Sequence, residues 1–240
     1  GANVVRKIVP LDRENRLDVA AICAAIDSDT RVVVICNPNN PTGTKITLSE
    51  IEQIISKTPS EALVFVDEAY IEFTDDPASE TAIEFAKSRS NVLVSRTFSK
   101  IHGLAGLRDG YGIADARVIS RLKDYMLGGL AFNMPGILAA QQAIDDQDHI
   151  RATLKLNRTI HETWTKLFHD VGWQMTPSVT CFAWVNLGTD CGPLVKFLAD
   201  RNVLVGGGQR WDLPNYIRIS IGTEEENEML LSGVKAFLAA

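Results

Sequence analysis

Arg31-Val32-Val33-Val34-Ile35-Cys36-Asn37-Pro38-Asn39-Asn40-Pro41-Thr42-Gly43 carries the pattern that decides the architecture: a β-branched apolar run that stops in a loop of turn-forming residues. Helical spacing follows, from Leu48 to Lys57. An apolar run without alternation, bounded by loops and helices, predicts a strand buried on both faces of a parallel sheet. The same grammar recurs at Ala62-Leu63-Val64-Phe65-Val66-Asp67 and at Val92-Leu93-Val94-Ser95, each preceded by a segment able to form a helix. The expectation is an α/β fold with a mainly parallel sheet in a large domain, residues 1–150.

Downstream, a long helical pattern runs from Pro135 to Val171, with a break near Asp145-Asp146. After Gly172 the grammar changes. Cys181 to Leu187, Val203 to Val205 and Tyr216 to Ile221 read as strands, and Gly192 to Arg201 and Thr223 to Leu238 as helices. Thr223-Glu224-Glu225-Glu226 has the spacing of a capping box. This second region, residues 151–240, predicts a smaller α+β domain. At the other end, Val4 to Pro10 reads as a strand leading into a helix. The opening Gly1-Ala2-Asn3-Val4-Val5-Arg6 has no Met and no signal-like segment, so the sequence reads as a fragment or a processed product.

Composition narrows the function. The 240 residues carry 24 Lys+Arg against 30 Asp+Glu, a formal net charge of −6, with 45% hydrophobic residues. A mildly acidic chain of ordinary apolar content is a soluble globular protein without a general nucleic-acid surface. No apolar run reaches the roughly 18–20 residues of a membrane helix. The cysteines Cys23, Cys36, Cys181 and Cys191 form no C-x-x-C pair, which suits a reducing, cytoplasmic compartment and argues against a disulfide scaffold. His161-Glu162 begins like H-E-x-x-H, but Thr165 stands where the second ligand belongs, so no metal site is expected.

In open α/β sheets ligands bind outside the carboxyl ends of strands, and three unusual loops follow such ends here. Asn37 to Gly43 taken alone is equally a surface turn. Val66-Asp67-Glu68-Ala69-Tyr70 resembles a Walker B strand or a capped helix start, but nothing in the chain matches G-x-x-x-x-G-K-[ST]. The third loop says more. In Ser95-Arg96-Thr97-Phe98-Ser99-Lys100-Ile101-His102-Gly103-Leu104-Ala105-Gly106-Leu107-Arg108, hydroxyls flank a lysine and an arginine follows in a glycine-rich stretch. Hydroxyls, backbone N–H groups and a guanidinium make a phosphate site, and a lysine beside it is a counter-ion or a Schiff-base nucleophile. The alternative is a surface lysine in a flexible loop. Together the loops offer a lysine, a phosphate cup, a carboxylate, a phenol and an amide, which is the set pyridoxal phosphate requires.

The segments N-P-N-N-P-T-G at 37–43, V-F-V-D-E-A-Y at 64–70, R-T-F-S-K-I-H-G-L-A-G-L-R at 96–108 and Y-I-R-I-S-I-G-T at 216–223 occur in one order along nearly the whole chain. In this the chain resembles the fold type I (aspartate-aminotransferase-like) enzymes, and most closely the histidinol-phosphate aminotransferase branch. The resemblance implies a homodimer that exchanges amino and oxo groups between an amino donor and a 2-oxo acid, with pyridoxal phosphate as cofactor. It implies that Lys100 is the Schiff-base lysine and proton shuttle, that Asp67 pairs with the ring nitrogen, and that Asn40 and Tyr70 bond the ring's phenolic oxygen. Ala69 lets the ring lie flat, and Thr97, Ser99 and Arg108 hold the phosphate. Arg218 grips the substrate's carboxylate or phosphate.

The resemblance has two departures. The family's glycine/serine phosphate loop and ring-stacking aromatic fall upstream of Gly1. The arginine usual after the strand matching Val203 to Val205 is replaced by Gly206-Gly207-Gly208-Gln209-Arg210-Trp211, where Arg210 reaches the substrate phosphate from a loop or that recognition is lost. Trp211 is read as a packing residue. Other readings remain open at this point: decarboxylase, cyclase or lyase chemistry with the same cofactor, or a non-catalytic regulatory module on the same fold. A nucleotide hydrolase leaves the Ser99-Lys100-Arg108 loop without a use.

Overall fold

A computed structural model of the chain describes residues 4–125 and 133–239. The chain divides into two compact units, one of residues 1–40 with 44–150, the other of residues 41–43 with 151–240.

In the first unit β1 (Val32–Cys36), β2 (Leu63–Asp67) and β3 (Val92–Thr97) are parallel neighbours, and β4 (Gly110–Ala114) pairs antiparallel on β3. The mainly parallel sheet is thus the one the apolar runs require. Alternate residues Val33, Ile35, Val64, Val66, Val92 and Val94 are buried against helices α1 (Val19–Ala25) and α2 (Leu48–Lys57). α2 starts where Thr47 and Glu50 cap each other reciprocally, which satisfies two otherwise orphaned N–H groups. Between β2 and β3 the chain forms the short helices α3 (Pro77–Glu80) and α4 (Ile83–Ser88), and α5 (Ala116–Lys123) follows β4. On the opposite face of β1, Val32 and Val34 are exposed, so burial on both faces is not what this strand shows. The antiparallel β4 escapes a sequence reading because Gly110 and Gly112 dilute its apolar pattern. Its tight pairing needs them, since a side chain on Gly110 would press on the Arg96 carbonyl at 2.6 Å.

Val4 to Pro10 is not a strand. Val5 and Ile8 lie exposed and the segment is tied down by the Lys7–Asp27 ion pair, with only an isolated bridge from Leu11 to Leu17 beyond it. A short apolar segment needs a neighbouring strand to become a ladder, and none is adjacent among the described residues.

The long helical pattern breaks where the paired aspartates stand. α6 (Met134–Asp145) ends at Asp146, and α7 (Gln147–Asp170) begins with the Asp146 carboxylate accepting from the His149 N–H at 3.0 Å. Residues of α7 up to Ile150 group with the first unit and the remainder with the second.

In the second unit β5 (Gln174–Met175), β6 (Phe182–Asn186), β8 (Tyr216–Ser220) and β7 (Gly206–Gly207) form an antiparallel sheet in that spatial order. It packs with α7, α8 (Gly192–Ala199) and α9 (Glu224–Leu238) around fully buried Trp164, Phe168, Leu194, Leu198 and Ile217. The expected box at Thr223 and Glu226 caps α9. The strand expected at Val203–Val205 is instead a connector, and pairing begins at Gly206. Glycine suits that edge because the chain runs against its neighbour: a side chain on Gly208 would collide with the Leu213 carbonyl.

His161 on α7 donates from Nε2 to the Thr180 carbonyl at 2.7 Å, while its Nδ1 is buried without a partner. Burial lowers its pKa below 6.5, partly opposed by the Thr180 bond. The unfolded chain therefore binds the extra proton first, and stability contributed by neutral His161 is lost as pH falls below about 6.5. His102 shifts in the same direction through burial. Melting curves from pH 7 to 5 should show a falling midpoint, with the fall reduced in His161→Gln by on the order of 2 °C. A fall as steep in the variant as in the parent would remove His161 as its source.

Candidate active site

The register of the parallel strands assembles the site. Cys36, Asp67 and Ser95 are successive partners across β1, β2 and β3 near their carboxyl ends, and each strand then runs into one of the three loops, β3 after two more residues paired with β4. Asp67 is held by two donors, both on Oδ1: the Ser95 hydroxyl at 3.1 Å and the Ala69 N–H at 3.2 Å. Its Oδ2 is left to accept from something else. The neighbouring Cys36 thiol is pushed up to about 11 by burial, with the Asp67 charge adding to the shift, so a neutral thiol lies beside the carboxylate.

After Asp67 the chain turns through Ala69 into a short 3-10 turn, Ile71–Phe73, and buried Tyr70 stands at its start. The Lys100 ammonium lies over the Tyr70 ring, 5.3 Å from its centroid. Lys100 is exposed and forms no ion pair among the described residues. The turn after β3 is ordered from within. Ser99 N–H donates to Thr97 Oγ1 at 3.1 Å, and the Thr97 hydroxyl and the Phe98 N–H both donate to the Asp109 carbonyl, at 3.2 and 3.1 Å. Those bonds close the loop, so Arg108, adjoining Asp109, returns to its Thr97 end. Arg108 adopts φ 61° and donates to the Ala105 carbonyl at 3.0 Å. The turn thus brings together the Ser99 hydroxyl and the Arg108 guanidinium, groups suited to an anion, while the Thr97 hydroxyl and the Phe98 and Ser99 N–H groups are spent on closing it.

The first loop is shaped by Asn37, whose side chain accepts from Ile46 N–H at 2.8 Å and donates to the Ile46 carbonyl at 3.2 Å. Asn40 stands exposed near its crest. Within the second unit, Gly43 has φ +75°, and a side chain there would overlap the Ser178 hydroxyl, so the last residue of N-P-N-N-P-T-G has to be glycine.

Arg218 and Arg210 belong to the second unit. The Arg218 guanidinium lies over the Phe182 ring, 3.9 Å from its centroid, with its Nε buried and unpartnered and its NH1 donating to Ser220 Oγ at 3.4 Å. A cation stacked on an aromatic face and lacking a carboxylate is prepared for an anionic ligand. Arg210 is exposed over its neighbour Trp211, at 5.2 Å, and Trp211 packs edge-on against buried Trp184. Trp211 is therefore a packing residue.

Asp67 and Thr97 are the last residues of β2 and β3, Ala69, Tyr70, Ser99, Lys100 and Arg108 lie in the turns that follow, and Asn40 in the loop after β1. The motifs give no role to Ser95 on Asp67, to the buried Glu68–Arg96 pair or, in the second unit, to Phe182 under Arg218. Ser95 could have been found from its position at the end of an expected parallel strand, level with Asp67. No group of three or more His, Cys, Asp or Glu among the described residues is placed to hold a metal ion. Among these residues no helix is long and apolar enough to cross a membrane.

A histidinol-phosphate aminotransferase of Brevibacillus brevis is 38% identical to this chain over 235 residues, covering 98% of this chain and 64% of that protein. The chain therefore spans a little under two thirds of that relative's length. A putative histidinol-phosphate aminotransferase structure from Erwinia carotovora atroseptica superposes with TM-score 0.89 at 30% identity, over 96% of this chain and 67% of that one. The histidinol-phosphate aminotransferase of Sinorhizobium meliloti, solved with pyridoxal 5'-phosphate, does so with TM-score 0.88 at 25% identity, over 96% of this chain and 63% of that one. The aminotransferase class I and II pattern matches residues 2–234, and the chain belongs to that family.

Proposed function

We propose that this chain carries the cofactor lysine and the substrate-gripping arginine of a pyridoxal-phosphate-dependent aminotransferase that acts on histidinol phosphate and a 2-oxo acid. The observation that carries the reading is the grouping at the ends of β2 and β3. A carboxylate fixed on one oxygen and open on the other, a phenol ring, and an unpaired lysine amine over that ring stand beside a turn that carries the Ser99 hydroxyl and the Arg108 guanidinium. The relatives' shared name supports the choice of substrate.

Bound pyridoxal phosphate supplies an aldehyde that takes up amines and a ring that withdraws electrons from the carbon beside them. The residues divide the remaining work. Asp67 presents a negative charge to the ring nitrogen and keeps it protonated. Thr97, Ser99 and Arg108 hold the phosphate, and Asn40 and Tyr70 take the phenolic oxygen. Ala69 leaves room for the flat ring. Lys100 would hold the cofactor's aldehyde through its amine and would take and return the proton at the substrate's α-carbon. Arg218 takes the substrate's anionic end, and Arg210 offers a second cation from its exposed loop. The reading carries a homodimer in a reducing, cytoplasmic compartment. The apolar side chains Met134, Leu138 and Ile144, exposed on α6, and the free state of all four cysteines support it.

The test is direct. Pyridoxal phosphate is added to the purified chain, borohydride is applied, and the labelled peptide is identified. Label on Lys100, followed by pyridoxamine phosphate and an oxo product from histidinol phosphate, is the expected result. Label on Lys100 with carbon dioxide or an elimination product instead would move the chain to another reaction on the same cofactor. No label at any lysine would sink the reading.

A further inference from the structure

β2 and β3 stop pairing just where the site begins. Their last register pair is Asp67 with Ser95, and the last backbone bond runs from Glu68 N–H to the Ser95 carbonyl at 2.9 Å. Successive side chains on a strand point to opposite faces, so Asp67 with Ser95 occupy one face and Glu68 with Arg96 the other. The side chains bond across the strands on both faces. On the first, Ser95 holds Asp67. On the second, Arg96 donates from Nε to Glu68 Oε2 at 3.0 Å, and its NH2 lies 3.0 Å from the same oxygen, so the guanidinium fork closes on one carboxylate oxygen.

That second contact is built to be rigid. Glu68 is 1% exposed, and its carboxylate also accepts from the Ala82 N–H at 2.6 Å and the Thr81 hydroxyl at 2.8 Å. A buried carboxylate with this many donors has one geometry open to it. Arg96 also reaches Glu72, NH1 to Oε1 at 3.8 Å. Burial pushes the Glu72 carboxyl up, and the nearby Arg96 charge opposes that shift. Glu68 and Glu72 bracket the Ala69–Ile71 segment, so one arginine from β3 spans both ends of the stretch that carries Tyr70. Four residues further along the same chain from Arg96 is Lys100, whose amine lies over that Tyr70 ring.

We infer that Glu68 and Arg96 are positioning residues: their buried forked pair, extended to Glu72, sets the separation between the Asp67–Tyr70 turn and the Lys100 turn. Neither belongs to the set proposed to hold the cofactor. They act through the two strand ends they join, where the backbone ladder no longer holds the chains together. The role presupposes that Asp67 and Lys100 hold pyridoxal phosphate as proposed above. The clamp itself is a property of the protein without it.

Glu68→Gln keeps the shape and removes the charge, and Arg96→Lys keeps the charge and removes the fork. Ile54→Val, a substitution in the α2 core far from both strand ends, is the control for lost stability alone. In the cofactor-free protein, amide hydrogen exchange over residues 68–71 and 97–101 should quicken in Glu68→Gln, less so in Arg96→Lys, and not in Ile54→Val. With pyridoxal phosphate, Glu68→Gln should shift the absorbance maximum of the Lys100-bound cofactor and raise its dissociation constant about tenfold. Arg96→Lys should fall between it and the parent. If Glu68→Gln matches Ile54→Val in exchange at both turns, and in spectrum and affinity, the positioning role is overturned and the pair is a structural contact only. If the parent never traps cofactor on Lys100, the aminotransferase reading fails, and the exchange comparison still decides the clamp.

Discussion

On the proposed aminotransferase reading, Lys100→Ala lowers amino-group transfer on the order of 10⁴-fold, the upper end of what a proton-transfer group contributes. Its fold should survive. Lys100 is exposed and lies over the Tyr70 ring, a contact worth about 0.5–1 kcal/mol at such a site. The variant should therefore melt within a few degrees of the parent. Borohydride-trapped label should vanish from residue 100 without moving to another lysine. Circular dichroism, trapping and single-turnover assays together check this. Retained turnover, or label transferred to a different lysine, would take the reacting amine away from Lys100.

Asp67→Asn should lower turnover on the order of 10²- to 10³-fold, comparable to removing one preorganised group aimed at developing charge. The substitution separates charge from shape. The amide oxygen of the replacement can still accept from the Ser95 hydroxyl and the Ala69 N–H, the two bonds that fix the parent side chain at 3.1 and 3.2 Å. What the variant loses is the negative charge that keeps a ring nitrogen protonated. Bound cofactor should accordingly show an altered absorbance spectrum while the melting temperature stays close to the parent value. Turnover within threefold of the parent would mean that Asp67 supports the strand end and nothing more.

Of the architecture, the local sequence carried what periodicity encodes. The β-branched runs at 32–36, 63–67 and 92–97 pair in parallel, the paired aspartates at 145 and 146 end one helix and start the next, and Thr223 with Glu226 caps the last. These features depend on side-chain spacing and on caps that reach only a few residues along the chain. Where pairing depends on a partner far away, the pattern misleads. Val4 to Pro10 has the β-branched content of a strand and no strand beside it among the described residues. Val203 to Val205 yields to the glycines that follow, because close approach of another backbone favours residues without a side chain.

Motifs and their order bring the site's candidates into view: Lys100, Asp67, Tyr70, Asn40, the phosphate-holding turn and Arg218 are all named by the motifs alone. Their chemistry is legible because residue types carry it. How those groups are held is decided by the tertiary structure. Parallel register sets Ser95 beside Asp67, a buried fork joins Glu68 to Arg96 across strands whose sequences lie far apart, and Phe182 lies flat beneath Arg218. None of these partners is within a few residues of the group it orients, and hydrogen bonds and ring contacts of that kind exist only once the sheet has brought distant positions to within about 4 Å.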